Sequence, residues 1–104
     1  GIPFGNRVYK NFYKELDNMS KNSAGVRRLG AAALDLAYVA SGKIDGFWER
    51  DLNLWDISSG VLLVKEAGGK ITEPDGKKWT TNSRDIVVSN SLIHKKLTEN
   101  LTLL

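Results

Sequence analysis

The sequence predicts an α/β protein in which helices layer against a sheet, and three observations carry that expectation. Apolar residues recur at helical spacing near the amino end; two runs of small and aliphatic residues end on glycine; and short β-rich segments separate the helical ones. The 104 residues allow one domain with one modest core, and 41% hydrophobic against 26% charged residues lies within the globular range.

The chain opens on "GIPFG", without methionine, in the pattern of a strand end entering a turn, so residues 1–104 are expected to be the carboxy-terminal part of a longer protein. In "NRVYKNFYKELDNMSKN", Val8, Phe12, Leu16 and Met19 form a helical apolar stripe, with Asn6 as N-cap. "AGVRRL" reads as a short extended piece. "GAAALDLAYVASG" is a helix that should stop at Gly42, and its near-continuous apolarity implies burial on more than one side. "KIDGFWE" reads as a strand, and "LWDISSGVLLVKEAGG", from about Leu54, as a second buried helix closed by Gly68 and Gly69. "KITEPDGKKW" predicts two short strands about a Pro74-Asp75-Gly76 turn, "RDIVVSN" a further strand, and "SLIHKKLTENL" a final helix presenting Ile93, Leu97 and Leu101.

Composition narrows the function classes. No run approaches the roughly 18 apolar residues of a membrane span, and no charged start leads into a signal-like stretch, so a cytoplasmic location is expected. Zero cysteines exclude disulfides and thiolate metal sites. Fifteen basic against twelve acidic residues leave a net charge of +3, scattered rather than gathered, which is a poor nucleic-acid footprint.

Three places invite a chemical reading. Asp56 falls in the first turn of the predicted second buried helix, where free amides and the helix dipole keep a carboxylate ionised. Such an oxygen donor suits Mg²⁺, although a lone acidic residue at that place is also what a stable helix start uses. Glu49 ends the predicted strand, where a carboxylate can accept hydrogen bonds from substrate hydroxyls or simply face water. Gly30, Ala31 and Ala32 give a nearly side-chain-free helix start, open to an anion or to tight packing. His94, the lone histidine, has no acid or nucleophile nearby in sequence and is expected at the surface.

The order of these fragments adds a resemblance. Residues 25–76 closely resemble the carboxy-terminal half of the inositol monophosphatase family, including its bacterial extragenic-suppressor members. The signature is Trp55-Asp56, then Ser58-Ser59-Gly60, then Glu66-Ala67-Gly68-Gly69. The flanks, 1–24 and 77–104, are compatible in length and pattern. The resemblance implies the carboxy-terminal α/β portion of a layered α-β-α-β-α sugar-phosphatase fold. It also implies a Mg²⁺-dependent phosphatase acting on an inositol or sugar monophosphate, with Asp56 as a metal ligand, Glu49 binding substrate hydroxyls and Gly30-Ala31-Ala32 contacting ring or phosphate through the backbone. Such enzymes often form homodimers.

Two departures qualify the match. Ala31 stands where the family often has Ser or Thr, which removes a hydroxyl contact, and Ser58-Ser59 replace alanines. The family's first acidic motif, an Asp-Pro-aliphatic-Asp-Gly-Thr run, occurs nowhere in these residues, so this chain alone is expected not to turn over substrate. The alternative is a binding or regulatory module in which Arg27-Arg28 and the lysines face the transcription or ribosomal RNA machinery, as bacterial relatives imply.

Overall fold

The computed structural model describes residues 12–26 and 31–102, with the side chain of Asp56 outside that description. Asn6, Val8, Arg27, Arg28 and Gly30 also lie outside the described residues. Helix α1 spans Phe12–Lys21, α2 Ala32–Ala40, strand β1 Gly46–Glu49, α3 Leu54–Glu66, β2 Lys70–Thr72, β3 Ile86–Ser89 and α4 His94–Thr102. The sheet has the order β1-β3-β2, with both pairings antiparallel. Its central strand carries the sequence IVVS, every residue of which is buried.

Alternation along the strands gives the sheet two unlike faces. Phe47, Ile71, Ile86 and Val88 point towards α2 and α3, where they meet Leu36, Val39, Ile57, Val61 and Val64. Trp48 and Val87 point the other way, towards Met19 of α1 and Leu97 and Leu101 of α4. Each fully buried aliphatic side chain in these clusters contributes about 1.5–3 kcal/mol. The register Phe47↔Val88 and Ile71↔Val88 keeps all three strands in phase, so no strand exchanges its two faces.

Helix α2 stops where expected: the Ser41 N–H donates to the Ala37 carbonyl, and Gly42 follows at φ +79°, a left-handed conformation that a side chain disfavours. Helix α3 starts from Asn53, whose side-chain oxygen accepts the Trp55 N–H at 3.0 Å. The two helices pack closely at Gly60, where an added Cβ would lie 2.5 Å from the Cβ of Leu36. Glycine there permits the approach.

Several expectations are corrected. The outer sides of α2 and α3 are open rather than buried: on α2 Leu34 is 41% exposed, and on α3 Trp55 is 89%, Leu62 58% and Leu63 49%. Among the described residues only one side of these helices has a sheet to cover it, so apolarity all round does not become burial all round. The two strands about Pro74 reduce to β2 and one isolated bridge, Thr72↔Lys78. Residues 24–26 form no strand. In α1 the buried positions are Phe12, Glu15 and Met19, so a carboxylate occupies the inward face beside Leu16, which is half-buried. Among the described residues no helix is long and apolar enough to cross a membrane.

Candidate functional site

Of the expected site residues, Ala31 and Ala32 stand at the start of α2, Glu49 at the end of β1 and Asp56 in the first turn of α3; Gly30 lies outside the described residues. Ala31 is the N-cap of α2, exposed and in extended conformation, with no side-chain capping bond; Ala32 opens the helix and packs against the core. The first amides of α2 thus lack the side-chain oxygen that Asn53 gives α3. Glu49 is the last residue of β1 and half-buried. The sheet is antiparallel, so the rule that placed ligands beyond the carboxyl ends of parallel strands does not apply: Glu49 pairs with Ile86, the first residue of β3. Asp56 is the third residue of α3, inside the first turn, where the backbone favours a negative charge.

Asp35 belongs beside this group, and the sequence reading passed over it. It sits in the first turn of α2 and is only 7% exposed. Burial raises its pKa above the ordinary aspartate value, and the negative charge of Glu49 raises it further. A lone aspartate inside the apolar run "AALDLAYVA" was the available signal.

Behind Glu49 the chain is tied down. Arg50 donates from Nε to Glu15 Oε2 at 2.7 Å, its Nη2 pairs with the same oxygen at 2.5 Å, and its Nη1 donates to Asp85 Oδ2 at 3.1 Å. Glu15 is fully buried. Burial alone would lower the Arg50 pKa, but Glu15 and Asp85 outweigh it and hold it above the ordinary arginine value. The other oxygen of Asp85 accepts the Asp51 N–H at 2.8 Å, and the Leu52 N–H donates to the Arg84 carbonyl at 2.8 Å. Asp51 adopts φ +55°, a left-handed turn between β1 and α3, and its carboxylate pairs with Arg84 on the exposed side.

His94 overturns its expected surface role. It is 3% exposed, with Nε2 2.7 Å from Thr72 Oγ1 and Nδ1 2.7 Å from Ser89 Oγ. The Thr72 hydroxyl donates to the Glu73 carbonyl, so its oxygen accepts from Nε2–H; the Ser89 hydroxyl then donates to Nδ1 while accepting the Ser91 N–H. This assignment, made from the hydrogen-bond pattern, occupies both nitrogens of a neutral ring. Burial lowers the His94 pKa, and the charge of Lys70 lowers it further. The histidine joins α4 to β2 and β3; Thr72 lies 22 positions away, and Ser89, though only five away, is brought to the ring by the turn between β3 and α4.

A cleft of about 220 Å³ lies among Arg50, Glu73, Arg84, Asp85 and Thr102, and none of Glu49, Ala31 or Ala32 lines it. Among the described residues no group of three or more histidine, cysteine or acidic side chains could hold a metal ion. With no cysteine in the chain and both His94 nitrogens occupied, the donors that remain are carboxylate and other oxygens, which suit a hard cation rather than a soft one.

Residues 5–103 match the inositol monophosphatase family model. An inositol-1-monophosphatase from Caulobacter vibrioides is 48% identical over 103 residues, which cover 97% of this chain and 40% of that protein. A Nus factor SuhB from Pseudomonas aeruginosa is 41% identical over 100 residues, covering 93% and 37%. The solved inositol monophosphatase of Anabaena superposes with a TM-score of 0.85 at 42% identity, covering 88% of this chain and 36% of that one. The chain thus spans only 37–40% of the length of these two curated relatives. In sequence and in fold, the chain belongs to the inositol monophosphatase family.

Proposed function

We propose that the longer protein to which this chain contributes its carboxy-terminal portion is a Mg²⁺-dependent phosphatase acting on inositol monophosphate or a related sugar phosphate. The observation that carries this reading is the start of α3: a helix capped by Asn53 sets Asp56 in its first turn, five residues beyond the left-handed turn that follows Glu49. Family membership supports it, as does an oxygen donor set of the kind Mg²⁺ takes. Asp56 holds one position on the cation. Glu49 accepts hydrogen bonds from substrate hydroxyls, and the backbone at Gly30, Ala31 and Ala32 faces the ring or phosphate. Mg²⁺, when bound, supplies Lewis-acid polarisation of the phosphoryl group and acidifies a water.

Because this chain brings one proposed ligand, the remaining ligands come from the rest of the protein, and the chain alone does not turn over substrate. The open apolar stripe of Trp55, Leu62 and Leu63 supports that division, since so much exposed apolar surface along one helix is the mark of a surface that packs against something. The proposed protein is cytoplasmic and homodimeric. Isothermal titration of Mg²⁺ into the full-length protein and its Asp56→Asn variant tests the assignment: binding weakens at least about tenfold on loss of a ligand charge. An unchanged isotherm removes Asp56 from the metal site.

A second reading, a binding module of the transcription or ribosomal RNA machinery, rests on the likeness to a protein named Nus factor SuhB. In that reading Arg27 and Arg28 make the contact. Arg27→Glu with Arg28→Glu then abolishes capture of RNA polymerase by the full-length protein and leaves phosphatase turnover in place; retained capture defeats it.

A further inference from the structure

We propose that Arg50, clamped between Glu15 of α1 and Asp85 before β3, is a positioning residue that fixes Glu49 for recognition of substrate hydroxyls. The inference rests on the role given to Glu49 above and concerns what holds that carboxylate still.

Glu49 and Arg50 are adjacent but engage opposite sides of the sheet. Alternation along β1 turns Glu49 to the same face as Phe47, towards α2 and α3, whereas Arg50 reaches Glu15 on α1 through two of its nitrogens. The peptide between them is thereby held from behind. The guanidinium suits this work because its planar fork meets two carboxylates at once, Glu15 through Nε and Nη2 and Asp85 through Nη1. Asp85 serves the same purpose twice, since its second oxygen takes the Asp51 N–H at 2.8 Å. The Leu52 N–H adds a further tie to the Arg84 carbonyl. Residues 50–52 therefore continue beyond the last ladder pair, Glu49↔Ile86, by side-chain and main-chain bonds in place of strand pairing.

The left-handed Asp51 shows how closely the path is specified. A non-glycine residue at φ +55° persists where its surroundings over-determine it, and here both its amide and its carboxylate are engaged. Downstream of that turn lie only Leu52 and the cap Asn53 before α3 begins, so the clamp also sets where the helix bearing Asp56 starts. A lysine at position 50 would keep the charge opposite Glu15 but would lose the fork that spans both acids.

The test uses the full-length protein and compares kcat/KM for inositol 1-phosphate with that for p-nitrophenyl phosphate, which offers no ring hydroxyls. Arg50→Lys and Asp85→Asn should each shift the ratio against inositol 1-phosphate, by about tenfold for Arg50→Lys, short of the hundredfold that a 1 Å misplacement can cost. A merely structural role would lower both values in parallel as the folded fraction falls, and a parallel loss or an unchanged ratio overturns the proposal. Should Arg50→Lys fail to fold, Asp85→Asn decides alone, because Asp85 is one-third exposed and its exchange leaves the buried Glu15 paired. Glu49→Gln separates the two possible failures. If it loses the preference while the clamp variants keep it, only the clamp falls; if it too keeps the preference, the hydroxyl-binding role of Glu49 falls and the clamp falls with it.

Discussion

The two faces of the sheet solve the same burial problem with different chemistry. Towards α2 and α3 the contacts are aliphatic and aromatic, closed by the approach of Leu36 to Gly60. Towards α1 and α4 the apolar cluster is smaller, and two polar networks complete it: Glu15–Arg50–Asp85, and Thr72–His94–Ser89. An apolar layer loses energy in proportion to the atoms removed from it, whereas a buried polar network fails abruptly when one member leaves and strands another. The face that carries the candidate site is thus the forgiving one, and the face behind it dictates where the chain must run.

The largest effect that would break this contrast is on the polar face. Arg50→Met leaves the Glu15 carboxylate buried without its guanidinium, and the expected loss of stability is about 3–5 kcal/mol by urea unfolding. Adding Glu15→Gln to the same chain should recover part of that loss, since the stranded charge is then gone. No recovery would mean that the packing of the arginine stem, not charge pairing, holds α1 in place.

On the apolar face, Gly60→Val forces a side chain into space already filled by Leu36 and should cost about 1–3 kcal/mol. An effect as large as that of Arg50→Met would erase the difference in tolerance between the faces.

The two faces should also part company with pH. His94, neutral and with a lowered folded pKa, gives stability that is fully present above the unfolded value of 6.5 and is lost as pH falls below it, because the unfolded chain takes up the proton first. Asp35, with a raised folded pKa, does the reverse. Its penalty stands at neutral pH and is relieved as pH falls through the raised folded value towards 3.8. Urea midpoints between pH 7 and pH 5.5 should therefore fall in the parent chain and fall less in His94→Gln, while Asp35→Asn should be more stable than the parent at pH 7.

The smallest effect is expected on the outer surface of α3. Trp55→Ser, at a side chain 89% exposed, should change the stability of this chain by less than about 0.5 kcal/mol, as surface exchanges do. A markedly larger loss would show that the apolar stripe already carries packing within this chain.

Much of the architecture was legible beforehand. The end of α2 could be read from Gly42 and the end of α3 from the paired glycines 68 and 69, with its start near Leu54, since caps and periodicity are local properties of a few consecutive residues. Family membership was legible as well, because Trp55-Asp56 and the residues that follow form a contiguous signature. What tertiary structure alone decided is which polar groups meet. Glu15 finds Arg50 across 35 positions, and His94 finds Thr72 across 22 and Ser89 across five. A histidine on an amphipathic helix looks the same in sequence whether it faces water or two hydroxyls, and a glutamate beside an apolar stripe looks solvated. Sequence spacing sets the direction of a side chain from its own backbone, but the partner waiting there depends on how separate elements pack, and it is that partner which makes burial of a polar group affordable.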